Sequence, residues 1–109
     1  MSSARVFFPR FSRDELIDRL RSKLIELAAV LPLKEAVLFG SWARGRADVA
    51  SDIDLLLIYE GEHDGGAQRT AWPILATPGL ELHLYTETEA ATRAETLSHM
   101  ADEGVRLYP

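Results

Sequence analysis

No cysteine occurs anywhere in the 109 residues. That excludes disulfides and thiolate metal sites, and it fits a cytoplasmic location, which is the expectation. Positive charge is also scarce. Twelve Lys and Arg against 17 Asp and Glu leave a net charge of −5, whereas proteins that grip nucleic-acid backbone usually present a basic face. Non-specific nucleic-acid binding is therefore not expected, although a single nucleotide held through a metal is compatible with this balance. No apolar run approaches the roughly 20 residues of a membrane span, so no membrane association is expected either. The opening MSSARVFFPRFSRDE carries acids and a proline too early for a signal peptide. Repeats, linkers and low-complexity segments are missing too. The 47% hydrophobic and 27% charged content that remains is that of an ordinary globular chain. Its length makes a single domain over 1–109, able to bury about two-thirds of its unfolded surface.

Residues 1–11 read as an apolar N-terminal arm, with Val6, Phe7, Phe8 and Phe11 interrupted by Pro9. Such an arm packs on the body or serves a dimer interface, so a homo-oligomer is one possible state. Ser12 with Glu15 fits a capping box, and Leu16, Leu20, Leu24, Leu27 and Leu31 recur at the spacing of one buried helical face. Pro32 ends that helix. Ala36 to Phe39 is the first predicted strand, and Asp52 to Tyr59 the second, with Leu55 to Ile58 continuously apolar as in a strand covered on both faces. Glu60 to Gly66 is a loop by composition. Ala67 to Trp72 admits a short helix limited by Pro73. Leu80 to Tyr85 alternates strictly, with the leucines on one face and Glu81 and His83 on the other. Thr86 or Thr88 caps a closing helix through about Glu103, which puts Ala90, Ala94, Leu97 and Met100/Ala101 along one side. Gly104 stops it. Val105, Leu107 and Tyr108 form a last apolar stretch. The sum is an α+β fold in two layers: a small mixed β-sheet with flanking helices.

The stretch Val37–Ile58, VLFGSWARGRADVASDIDLLLI, concentrates the chemistry. A short apolar strand meets a Gly40-Ser41 corner and a small turn of helix, then a polar connection over Asp48 to Ser51. Asp52 and Asp54 follow, one residue apart on the second strand. Alternate residues of a strand lie about 6.6 Å apart on one side, so the two carboxylates project together while Ile53 and Leu55 project into a core. Paired carboxylates repel unless a cation lies between them, and such oxygen-rich clusters suit Mg²⁺ or Mn²⁺. A strand-to-helix corner aims free backbone N–H groups at an anion. Together the two halves suit a nucleoside triphosphate. Glu81 joins the aspartates if the third strand lies beside the second.

The run Gly40-Ser41-Trp42-Ala43-Arg44-Gly45, the ten residues from Trp42 to Ser51, and Asp52-Ile53-Asp54-Leu55 closely resemble the signature of the minimal nucleotidyltransferases of the DNA polymerase β-like superfamily. Leu80-Glu81-Leu82 with Tyr85-Thr86 is similar to that family's third strand, and Glu103 to Tyr108 to its closing segment. The resemblance implies Asp52, Asp54 and Glu81 as metal-binding and catalytic residues around two Mg²⁺ ions, with Mn²⁺ as the possible substitute. It also implies Gly40, Ser41, Arg44 and Ser51 as nucleotide-binding residues, and ATP as substrate. The third acid of the family is usually Asp, and Glu81 departs from it by one methylene. Arg44 and Arg46 on a short surface helix are more often solvated, Ser51 more often closes a turn, and Trp42 more often packs than stacks on a base. His83 reads as a half-exposed strand residue rather than a ligand, and His63 and His99 as surface residues.

Larger superfamily members append an acceptor-binding domain, for which this chain leaves no room, so the acceptor is expected on a second molecule. Small stand-alone members resembling this one are commonly paired with a HEPN-domain toxin, act as its antitoxin, and can transfer AMP to a tyrosine on it. The resemblance therefore implies an antitoxin that adenylylates a HEPN-domain partner. Two alternatives remain at this point: a catalytically weak module that restrains its partner by contact alone, and an enzyme acting on a small hydroxyl compound across a dimer interface.

Overall fold

Ser12 opens the first helix through the reciprocal bonds its spacing to Glu15 predicts. The Glu15 backbone N–H donates to Ser12 Oγ at 3.2 Å, and the Ser12 N–H donates to Glu15 Oε1 at 2.8 Å. The computed structural model describes residues 12–45, 52–62 and 65–109, and the N-terminal arm expected over 1–11 lies outside them. Helix α1 (Arg13–Ala28) buries Leu16, Leu20, Leu24 and Leu27 completely. It stops earlier than the leucine repeat suggests. Leu31 precedes Pro32, whose ring disfavours helical geometry in the residue before it, so Leu31 is buried from a turn instead.

The sheet has the order β3-β2-β1-β4. Strand β1 (Leu33–Phe39) begins three residues before the expected Ala36. It runs antiparallel to both β2 (Ile53–Tyr59) and β4 (Val105–Tyr108). Strand β3 (Leu80–Thr86) lies parallel to β2, aligning Asp54 with Glu81 and Leu56 with His83. A parallel pair needs a crossover, and α2 (Gly66–Leu75) supplies it. One sheet face carries Ala36, Leu38, Leu55, Leu57, Leu82 and Leu84 against α1 and α2, which is the main core. The opposite face carries a smaller core of Val37, Leu56 and Leu97 beneath the C-terminal helices. The mixed sheet with flanking helices is thus the architecture. Among the described residues no helix is long and apolar enough to cross a membrane.

Three local expectations are corrected. Helix α2 runs through Pro73 to Leu75 rather than ending at Trp72. Proline inside a helix costs about 3 kcal/mol, and here Ala67, Ala71 and Leu75, buried at four-residue spacing, offset it while Pro73 itself faces outward. The closing helix is two pieces, α3 (Glu87–Thr92) and α4 (Ala94–Ala101), hinged at Arg93 (φ −121°, ψ 25°). Thr92 Oγ1 donates to the Glu89 carbonyl at 2.9 Å, a side-chain bond that competes with helix propagation. Ala94, expected on the inner side, is consequently exposed. The left-handed residue that ends α4 is Glu103 (φ 62°), not Gly104. Gly104 is needed for another reason: a Cβ there would lie 2.8 Å from both the Ala101 carbonyl oxygen and Val37 Cγ1.

Candidate active site

Phe39, Asp54 and Glu81 stand in one row across β1, β2 and β3, because the antiparallel and parallel registers place Asp54 opposite both neighbours. Residues at alternate positions share a face. Asp54 therefore emerges on the side of Leu56 and Ile58, and Glu81 and His83 on the side of Tyr85, which is the face that α3 and α4 cover. Those helices pack over Val37, Leu56 and Tyr85 and leave the Phe39–Asp54–Glu81 end of the face partly open. Ile53, Leu55, Leu80 and Leu82 anchor the same strands in the main core. The carboxylates are thus held by the alternation that builds the sheet.

His83 Nε2 lies 3.4 Å from Asp54 Oδ1 and 3.8 Å from Glu81 Oε1. One ligand atom from each of the three residues can be chosen so that all lie within 4.8 Å of one another. Two carboxylates about 5 Å apart repel by about 1–3 kcal/mol at the effective dielectric of a protein surface, so the arrangement favours a cation. The imidazole is held in place by Phe39, whose ring meets it edge-on at a centroid distance of 5.0 Å and 63°. Two carboxylates and an imidazole are a donor set that fits a divalent cation. The strand alternation of Leu80–Tyr85 was the signal for His83, which shares a face with Glu81. Asp52, the residue before β2, is exposed and falls outside this trio.

Gly40 meets Asp54 directly. Its φ of +76° lies in the region that favours glycine, and a Cβ built on it would stand 2.5 Å from Asp54 Oδ2. The Asp54 carboxylate therefore rests against the Gly40 backbone, so the corner and the acid form one continuous surface. The turn of helix expected after Ser41 is a single turn over 41–45 that does not continue as a helix. Those residues make a tight turn, with the Arg44 N–H donating to the Gly40 carbonyl at 3.2 Å and the Gly45 N–H to the Trp42 carbonyl at 3.3 Å. Gly45 at φ +74° turns the chain out of helical geometry. Arg13, the first residue of α1, staples the turn. Its Nε donates to the Trp42 and Ala43 carbonyls at 3.1 and 3.2 Å, and its Nη2 to the Ala43 carbonyl at 2.9 Å. Trp42 is buried in the main core, and Arg44 is exposed beside it. Ser51, Arg46 and the connection over Asp48 to Ser51 lie outside the described residues, as does His63. His99 is exposed on α4.

An acid lodged against a glycine corner, with a second acid one strand over, can hold a phosphorylated ligand through a shared cation. The family model for the nucleotidyltransferase domain matches residues 13–98. No curated protein matches the chain in sequence. Among solved structures, a Sulfolobus solfataricus protein assigned as a nucleotidyltransferase is similar over 86% of this chain and 80% of its own, at 22% identity and a TM-score of 0.61. A toxin–antitoxin complex with AMP-PNP has a chain similar over 81% of this one and 72% of its own, at 24% identity and a TM-score of 0.57. A complex of tri-AMPylated Shewanella oneidensis HEPN toxin with its MNT antitoxin is similar over 84% of this chain and 71% of that one, at 21% identity and a TM-score of 0.52.

Proposed function

The chain belongs to the nucleotidyltransferase domain family, and we propose that it transfers AMP from ATP to a hydroxyl of a partner protein, a HEPN-type toxin for which it serves as antitoxin. The observation that carries this reading is the contact between the Asp54 carboxylate and Gly40, with Glu81 in register on the next strand. The neighbours that are toxin–antitoxin complexes, one with AMP-PNP and one with an AMPylated toxin, support the choice of acceptor.

In the transfer, the acceptor hydroxyl oxygen forms a bond to the α-phosphorus. The bond from that phosphorus to the bridging oxygen breaks, and pyrophosphate leaves with the electron pair. Asp54 and Glu81, with Asp52 at the mouth of β2, would hold the divalent ions, which when bound neutralise developing charge on the attacking and leaving oxygens. Gly40 and Ser41 would orient the β- and γ-phosphates. Glu81 has the most exposed side chain of the trio, at 56%, and would receive the proton of an acceptor arriving from solvent.

Incubation of the purified chain with a HEPN-domain partner and labelled ATP tests the proposal. Label is expected on the partner, and Asp54→Asn is expected to abolish it with the fold intact. A tight but unlabelled complex would favour restraint by contact alone, and undiminished labelling by Asp54→Asn would refute the assignment.

A further inference from the structure

Resting on the same site, we infer that His83 is itself a ligand of the divalent ion, so that the site takes Zn²⁺ in preference to Mg²⁺. The distances carry it. With bonds of about 2.1 Å, two ligands of a tetrahedral ion stand about 3.4 Å apart and two adjacent ligands of an octahedral one about 3.0 Å. His83 Nε2 and Asp54 Oδ1 are separated by 3.4 Å, and His83 Nε2 and Glu81 Oε1 by 3.8 Å. The first separation is long for a hydrogen bond, for which N···O values of 2.7–3.2 Å are usual. Both are close to those ligand–ligand separations, and the trio as a whole, within 4.8 Å, closes on one ion by rotation of the exposed Glu81 side chain.

Three further features agree. The imidazole points the same nitrogen, Nε2, at both carboxylates, as a metal ligand must. Its ring is fixed by the edge contact with Phe39 rather than left to solvent. All three residues come from strands whose other faces are locked in the main core, so the backbone that carries the donor set is fixed. Mg²⁺ favours all-oxygen shells and keeps its waters, whereas an imidazole nitrogen suits Zn²⁺ and the later first-row ions. The nitrogen therefore shifts selectivity as well as adding a ligand.

Nuclear magnetic resonance of the full chain labelled with ¹⁵N-histidine, titrated with Zn²⁺ in excess Mg²⁺, reads the ligand directly and requires no turnover. The His83 Nε2 resonance, identified by its loss in His83→Ala, is expected to shift and to saturate at one equivalent of Zn²⁺. His99, exposed on α4, is expected to stay unmoved. By calorimetry, His83→Ala and Asp54→Asn are each expected to weaken Zn²⁺ binding about tenfold or more, one factor of ten being about 1.4 kcal/mol. His83→Asp, an all-oxygen set, is expected to keep Mg²⁺ binding and lose the preference for Zn²⁺. Unshifted His83 nitrogens at Zn²⁺ saturation, or no Zn²⁺ binding at all, would overturn the inference. AMP transfer is scored separately. Transfer without His83 ligation sinks only the inference, and His83 ligation without transfer sinks only the nucleotidyltransferase reading of this site.

Discussion

Replacing Gly40 by alanine separates the site from the fold. Two effects act at this residue. The positive φ costs about 1–2 kcal/mol once a Cβ is present, and at about 4 °C per kcal/mol for a chain of this size that lowers Tm by roughly 4–8 °C. The new Cβ also stands 2.5 Å from Asp54 Oδ2, where ordinary contact begins at 3.4 Å, so the carboxylate has to retreat by about 0.9 Å. The carboxylate is the free end of a side chain and can move without disturbing β2, so this second effect adds little to the loss of stability. It falls on the chemistry instead, because a displacement of about 1 Å at a reacting centre can cost on the order of a hundredfold in rate. Gly65 is the matching control. It has φ +80° with only Arg69 Nη1 nearby, at 3.9 Å, and lies at the start of α2. Gly65→Ala should lose similar stability and keep its transfer rate. Thermal denaturation and label transfer on both variants check this. A Gly40→Ala protein that transfers at the wild-type rate would refute the argument that Asp54 works from against the Gly40 backbone.

Gly104→Ala should show the opposite pattern. Its Cβ meets a backbone carbonyl and Val37, which cannot swing aside, so denaturant titration should record a loss of about 1–3 kcal/mol with transfer per folded molecule unchanged. Arg13→Met removes the bonds to the Trp42 and Ala43 carbonyls while keeping an apolar stem. Loosening of the Gly40–Gly45 turn should raise KM for ATP by more than the modest drop in Tm would suggest. Leu57→Ala, at a fully buried position of the central strand, should destabilise by about 2–5 kcal/mol in denaturant titration.

Much of this architecture can be read from local chemistry. The Ser12–Glu15 box, the leucine stripe of α1, the apolar core of β2 and the alternation of β3 each express a period or a cap that tertiary contacts do not override. The pairing of Asp54 with Glu81 was conditional on β3 lying beside β2, and only the topology decides that. The passage of α2 through Pro73 was hidden, because burial of Ala67, Ala71 and Leu75 against the sheet outweighs a local penalty that sequence displays without its compensation. The break at Arg93 escapes for a different reason: it accompanies a side-chain bond from Thr92 to the Glu89 carbonyl, which the residue types permit without requiring. His83 was visible as a residue on the acidic face of β3. Its approach to Asp54 depends on a cross-strand reach from opposite Leu56 back to opposite Glu81, which strand alternation alone does not specify.

Nucleotidyl transfer differs from phosphoryl transfer in which phosphorus reaches the acceptor. Parallel incubations of the chain and a HEPN-domain partner with ATP labelled at the α- or the γ-phosphate therefore test the central claim most directly. The account predicts label on the partner from α-labelled ATP alone, with labelled pyrophosphate released from the γ-labelled sample. Label on the partner from γ-labelled ATP, or none from either, would contradict it.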